Sequence, residues 1–144
     1  MEAEAEYLDA SILLRALYRL PGASPLHDSG RVFTSSEIVS IEVALSIDRR
    51  RHAGAIDEVA ARRFHADWKR LRDSLHLFPL SDEVIAHSLE SFPSPVSLST
   101  AIHVSTAQVV QREVSRLRFW TASEPDAAAA AARQLQVAGT APGA

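Results

Sequence analysis

Two acidic residues, Asp9 and Glu42, have the surroundings expected of a functional site. Asp9 directly follows the apolar pair Tyr7-Leu8, and an amphipathic helical pattern begins at once after it. In an open parallel α/β sheet, ligands bind just beyond the carboxyl ends of the strands. A carboxylate there suits a hard divalent cation such as Mg²⁺. Aspartate is also a common N-cap, so Asp9 is either a metal ligand or the cap of the following helix.

Glu42 belongs to a second helical segment. In that segment Ile38, Ile41 and Leu45 are expected to form the inward stripe, and Glu42 lies beside Ile41 on the same side. An unpaired buried carboxylate is costly, so Glu42 needs a partner. A metal ion, an arginine or a cap contact would supply one, and a structural salt bridge is the alternative.

Short apolar strands alternate with helices along the chain and must position these acids. The strands are expected at Tyr7-Leu8 and at residues 31–34, 75–80, 117–121 and 136–138. The helices are expected at residues 11–20, 36–51 (capped by Ser35 or Ser36), 57–75, 81 onward, 98–113 and 127–135. This alternation predicts a parallel sheet covered by helices, and right-handed crossovers would bring the strand ends together on one side.

Length and composition favour one domain over residues 1–138, followed by a loose tail at 139–144. Residues 1–6 do not form a signal peptide, and we interpret them as an expression scar or a soft leader. The absence of cysteine excludes disulfides and thiolate metal sites and is compatible with a reducing cytosol. No apolar run approaches the roughly 18 residues of a membrane span. A cytoplasmic protein without a membrane partner is therefore expected.

The net charge of −3 gives no overall basic field, but the arginines are clustered. One cluster covers residues 49–51, and the other consists of Arg62, Arg63, Lys69, Arg70 and Arg72. Such clusters either hold phosphates or form a solvated helix face.

Four segments in this order resemble the PIN-domain family, and in particular the VapC-type toxins of bacterial toxin–antitoxin pairs. They are residues 7–11, 36–43, 99–107 and 119–124. Each segment alone is weak evidence, but the order and spacing of the four make a fairly specific match. Asp9 matches the first acidic position of the family, and Glu42 matches the second.

The resemblance implies an α/β fold, a three-layer α/β/α sandwich with a central parallel sheet. It also implies a pocket of about four carboxylates that holds one or two Mg²⁺ or Mn²⁺ ions and cleaves RNA. Two such cations can activate a water and stabilise the leaving oxygen of an in-line displacement. Asp9 and Glu42 would then be catalytic residues and metal ligands. A homodimer and a cognate antitoxin protein are the partners that the resemblance implies besides RNA.

The chain departs from the family pattern at two positions, where Thr100 and Ser123 replace aspartates. The loss of two negative charges should lower the affinity for a metal substantially. Glu124, as a metal ligand, or Asp126 would compensate near Ser123, or else both only place negative charge at a helix N-terminus. No acid within one helical turn compensates at Thr100.

Two smaller groups of polar residues have open roles. Ser11 and Thr121 either orient water or phosphate, or cap helices and bind backbone. His103 is either a base or, more often for such a residue, a packed or surface histidine. Two functions therefore compete. The first is a metal-dependent endoribonuclease toxin with a depleted pocket, and the second is a catalytically inactive PIN-like module that binds RNA or an antitoxin.

Overall fold

The computed structural model describes residues 4–27 and 30–140. The strands are β1 (Glu4–Leu8), β2 (Val32–Ser36), β3 (His76–Phe78), β4 (Arg116–Trp120) and β5 (Gln136–Ala138). The helices are α1 (Ala10–Leu17), α2 (Val39–His52), α3 (Glu58–Arg72), α4 (Asp82–Ser88), α5 (Leu98–Gln111) and α6 (Glu124–Ala132). The expected alternation of strands and helices is confirmed.

All five strands run parallel in the order β3-β2-β1-β4-β5. The first strand is therefore at the centre, where Tyr7 pairs with Thr34 on one side and with Phe119 on the other. Because the strands are parallel, their carboxyl ends share one edge, and the residues that follow them gather there.

Two apolar layers cover the two faces of the sheet, because successive residues of a strand point to opposite faces. One layer is built with α5 and α6 and includes Tyr7, Val104, Ala107, Phe119 and Ala130. The other is built with α1, α2 and α3 and includes Leu8, Ile12, Val43, Ile47, Trp68 and Trp120. The predicted three-layer α/β/α sandwich is confirmed.

The N-terminal segment corrects the interpretation of residues 1–6 as a soft leader. Residues 4–6 belong to β1, and residues 1–3 lie outside the described part of the chain. The Glu6 carboxylate is completely buried and accepts hydrogen bonds from the Arg118 guanidinium and from the Trp120 indole N–H at 2.7 Å. The Arg31 guanidinium lies 3.1 Å from the same carboxylate. This charge can be buried because cations and a donor surround it.

The start and the inward face of α2 also differ from the prediction. Ser36 ends β2, and the helix begins at Val39 without a side-chain cap, with Ile38 at the cap position. The expected stripe is wrong, since Ile41 and Leu45 are exposed by more than half. The buried side chains of this helix are Val39, Val43, Ser46 and Ile47. Their i, i+4, i+7, i+8 spacing satisfies the helical period from a different first residue.

Other element boundaries shift by a few residues. The first helix ends at Leu17 rather than Leu20, because Arg19 adopts a left-handed conformation with φ 55°. The last helix begins at Glu124 rather than Ala127, with Ser123 as its N-cap. Of the predicted tail, residues 141–144 lie outside the described part of the chain. Within residues 4–27 and 30–140, no helix combines the length and the apolarity needed to cross a bilayer.

Candidate functional site

Asp9 lies at the carboxyl end of the central strand and is the N-cap of α1. Its Oδ1 accepts hydrogen bonds from the Ile12 backbone N–H at 3.2 Å and from the Ser11 hydroxyl at 2.6 Å. The residue is 4% exposed, and burial raises the pKa of its carboxyl above the ordinary value despite the hydrogen bonds and the nearby His103. The cap role of Asp9 is therefore present in the structure.

Glu42 has two protein partners, and both come from α5. Its Oε1 lies 2.6 Å from Nε2 of His103, and its Oε2 accepts a hydrogen bond of 2.6 Å from the Ser99 hydroxyl. Partial burial acts to raise the pKa of Glu42, but His103 and Ser99 outweigh it and lower that pKa below the ordinary value. The partner that the sequence required for Glu42 is thus a histidine and a serine.

A buried tyrosine supports the same histidine from the other side. The Tyr7 hydroxyl lies 2.7 Å from Nδ1 of His103, and both residues are almost fully buried. Burial raises the pKa of Tyr7 well above its usual value, and the charges of Asp9 and Glu42 add to that rise. Tyr7, His103 and Glu42 therefore form a continuous polar chain from the core to the site. His103 is a packed histidine, as the sequence favoured.

The two positions that lack the family aspartates use their hydroxyls as hydrogen-bonding groups. Thr100 donates to Oδ1 of Asp126 at 2.7 Å and also lies 3.0 Å from the hydroxyl of Ser97. Ser123 accepts from the Asp126 backbone N–H at 3.4 Å as the N-cap of α6. No acid within one turn of Thr100 was expected, and the acid that bonds to it, Asp126, comes from another helix.

Ser11 and Thr121 tie α1 to the loop before α6. The Ser11 hydroxyl lies 3.5 Å from that of Thr121 and accepts a hydrogen bond of 2.9 Å from the Ala122 backbone N–H. Thr121 is fully buried, and its hydroxyl accepts from the Ser123 backbone N–H at 3.1 Å. Both hydroxyls therefore bind backbone N–H groups, and that of Ser11 also donates to the Asp9 carboxylate.

Glu124 does not join this network. Its side chain is exposed at the first turn of α6, and it makes no hydrogen bond or ion pair with a residue in the described part of the chain. Negative charge at a helix N-terminus is favourable without a ligand. The position of Glu124 is thus accounted for by the helix alone.

The oxygen donors of the site determine whether it could hold a divalent cation. Magnesium needs several oxygen ligands in near-octahedral geometry. Across residues 4–27 and 30–140, no three His, Cys, Asp or Glu side chains are grouped so that they could hold a metal ion. Both oxygens of Glu42 and one oxygen of Asp126 already bond to protein groups. The arrangement in this structure therefore does not fit a magnesium or manganese ion.

The fold resembles that of a solved toxin–antitoxin structure. VapBC2 from Rickettsia felis, crystallised with a DNA fragment from its promoter, superposes with a TM-score of 0.68 at 12% sequence identity. The match covers 93% of this chain and 97% of the other. No protein-family model and no curated protein sequence matches the chain. The chain therefore has a VapC-like PIN fold, and at this identity the likeness shows the fold alone.

The partners of Glu42 are what the sequence alone did not reveal. Ser99 and His103 are four residues apart and share one face of α5, and Thr100 and His103 are three apart. That spacing marks a polar face on an otherwise apolar helix. The spacing does not reveal that the acid at this face is Glu42, which belongs to another helix and is 61 residues away from His103 in the chain.

Proposed function

We propose that this chain is a non-catalytic PIN-like module of the VapC kind, which binds a partner protein of the antitoxin class. In this proposal the acidic pocket has become an internal hydrogen-bond network that no longer needs a metal ion. The observation that carries it is the double engagement of Glu42, which accepts from His103 and Ser99 at 2.6 Å each.

Several features of the site support the loss of metal chemistry. The Asp126 carboxylate is engaged by Thr100, a hydroxyl that donates where the family pattern has an anion. A cation that used either oxygen of Glu42 or Oδ1 of Asp126 as a ligand would compete with the protein donors that now bond to these atoms. Charge-assisted hydrogen bonds contribute roughly 1.5–3 kcal/mol each, so this competition opposes binding.

Binding of a partner protein is supported by apolar side chains beside the same network. Ile41 and Leu98 are the sequence neighbours of Glu42 and Ser99, which are bonded to each other, and they are 62% and 78% exposed. Large apolar side chains on a surface are typical of interaction sites when they occur together. The proposed partner is an antitoxin-class protein, by analogy with the VapBC2 structure, and the module is proposed to act in the cytoplasm as a homodimer.

The magnesium- or manganese-dependent endoribonuclease stays a prediction. Asp9 and Glu42 favour it, because His103 acts to lower the pKa of both carboxyls and therefore lies near both acids. The two proposals differ in one measurable property, the affinity of the unmodified chain for a divalent cation.

The deciding experiment titrates MgCl₂ and MnCl₂ into the protein by calorimetry and measures cleavage of a labelled mixed-sequence RNA. We expect no binding up to about 1 mM metal, where cation affinity would be near −4 kcal/mol, and no cleavage. The variant Thr100→Asp/Ser123→Asp restores the family acids and should bind Mn²⁺ more tightly than the unmodified chain. Light scattering on the same samples measures the oligomeric state.

The matched control is Glu124→Gln, which removes an exposed charge close to the site. It should leave the metal affinity and the RNA cleavage unchanged. Binding of Mn²⁺ by the unmodified chain, with RNA cleavage that Glu42→Gln abolishes, would overturn the non-catalytic proposal and establish the nuclease.

A further inference from the structure

A basic groove lies at the opposite end of α1 from the acidic network. Asp9 precedes this helix, and Arg19 follows its last turn. The eight helical residues between them span about 12 Å at 1.5 Å per residue, so the two regions are separate. Three adjoining concavities, with volumes of about 600, 290 and 290 Å³, share Arg19 in their lining.

The groove combines an apolar floor with a cationic rim. Leu17, Leu26 and Leu71 line its central part, and all three are buried or half-buried. Arg19 and Arg63 line the largest concavity beside Arg70, which is paired with Asp67. Among the residues that the structure describes, neither the Arg19 nor the Arg63 side chain has a hydrogen-bond or ion-pair partner.

The backbone at Arg19 adopts a conformation that glycine favours. Its φ of 55° lies in the left-handed region, and it closes the end of α1 through a 3.2 Å hydrogen bond from its N–H to the Ala16 carbonyl. Glycine is the residue that favours this helix-ending conformation, because any Cβ is strained there. The chain therefore carries an arginine at a position where the fold alone favours glycine.

We propose that this groove binds an acidic amphipathic peptide segment of a partner protein. Glutamate or aspartate side chains of the peptide would pair with Arg19 and Arg63, and its leucine-like side chains would cover the apolar floor. Guanidinium groups bind carboxylates through two parallel hydrogen bonds, which makes the contact directional as well as strong. The inference deepens the proposed function, because the partner protein proposed above would supply the peptide.

The structure favours a peptide over RNA at this place. Single-stranded RNA is bound by aromatic faces on which bases stack, combined with a cationic track. The nearest ring, that of Tyr18, is covered by the Arg50 guanidinium at 3.6 Å and contacted edge-on by Phe64 at 5.0 Å. Asp67 also lies in the lining, and its carboxylate would repel a phosphate. Leucine side chains in the floor offer nothing to a phosphodiester backbone.

The test uses fluorescence anisotropy with a labelled 14-residue peptide as the probe. Its leucines are placed at i, i+3, i+4, i+7 and i+8, and glutamates fill the remaining positions. A second peptide has glutamine in place of every glutamate, and a labelled octauridylate is the RNA probe. We expect the acidic peptide to bind with a Kd below about 100 µM. The neutral peptide should bind at least about tenfold more weakly.

Two variants and one matched control examine the arginines. Arg19→Gly should weaken binding of the acidic peptide about tenfold, while the urea midpoint of unfolding holds or rises because strain is relieved. Arg63→Gln should weaken binding by a similar factor. Arg62→Gln removes the neighbouring exposed arginine of α3, which does not line the groove, and should change the affinity less than about twofold.

Several results would overturn the inference. These are no binding of the acidic peptide, equal binding of the neutral peptide, or equal loss in Arg62→Gln and Arg63→Gln. Octauridylate binding that depends on Arg19, without peptide binding, would assign the groove to RNA. A change of oligomeric state in Arg19→Gly would assign it to a second copy of the chain. Metal binding and RNA cleavage by the unmodified chain would contradict the proposed function but would leave these peptide results as they are.

Discussion

The buried Glu6 carboxylate allows a quantitative test of what holds the centre of the sheet together. Glu6→Gln keeps the shape of the side chain and removes its charge, so no cavity complicates the result. Removing one partner of a buried ion pair costs about 3–5 kcal/mol. Arg118 and Arg31 are 27% and 33% exposed and can regain part of their hydration, so we expect the lower end, about 3 kcal/mol. Glu6 itself is fully buried.

Urea unfolding followed by circular dichroism measures this cost, and Glu4→Gln is the matched control. Glu4 lies in the same strand and binds the same Arg31 at 3.0 Å, but its side chain is 49% exposed. Exposed ion pairs contribute about 0–1 kcal/mol, so this variant should shift the midpoint by less than about 1 M, at most about a third of the shift in Glu6→Gln. Glu6→Gln should shift it by about 1–3 M. Equal shifts for the two variants would refute the reasoning that burial decides the strength of these pairs.

Two further predictions concern the polar groups of the site. Burial raises the pKa of Asp9, so the folded state holds its proton more tightly, and this contribution to stability is lost as pH rises through the raised pKa. In urea unfolding, the stability of Asp9→Asn relative to the unmodified chain should therefore increase as the pH rises from 4 to 7. A stability difference that does not change with pH would contradict the burial effect. Tyr7→Phe leaves Nδ1 of buried His103 without its partner and should cost about 1–3 kcal/mol. Tyr18→Phe removes a half-buried hydroxyl bonded to Ser46 and should cost less, and an equal cost would contradict that account.

The alternation of strands and helices was predictable because apolar periodicity is local. Trp68, for example, falls on a helical stripe with Phe64 and Leu71 and is buried in the core. The N-terminal strand was not predictable in the same way, because it is covered on both faces and such a strand is expected to be apolar throughout, whereas Glu6 is a buried acid. What permits this strand is pairing with Arg31 and Arg118, which are 25 and 112 residues away from Glu6 in the chain. Local patterns carry no information on such partners.

The stripe of α2 shows a second limit of periodicity. A helix with apolar residues on more than one side has several stripes of the same period, and Val39, Val43 and Ile47 form one as good as Ile41 and Leu45 do. Which stripe is buried depends on the angle at which the chain enters the helix from β2. That angle is set by tertiary packing, which no short window of sequence contains.

The position of Asp9 was predictable because it directly follows the end of a strand in a parallel sheet. Glu42 lies within α2 and was expected beside Ile41 on a stripe that is exposed in the structure. The hydrogen-bond partners of Glu42 were not predictable, because Ser99 and His103 belong to a helix that only the folded topology brings to it. The same holds for Asp126, whose backbone N–H bonds to the nearby Ser123 but whose carboxylate bonds to Thr100 on another helix.

The hydroxyl of Thr100 and the carboxylate of Asp126 act as a matched pair. An ionised aspartate at position 100 could not donate to Asp126 and would place two negative charges at a hydrogen-bond distance of 2.7 Å. The Thr100→Asp change is therefore expected to destabilise the metal-free chain while it creates ligands for a cation. A bound ion then stabilises the variant by about 2.7 kcal/mol at one hundred times its Kd. If the pocket is rebuilt for internal hydrogen bonding, the stability of the restored variant should depend on Mn²⁺. The stability of the unmodified chain should not change when the metal is added.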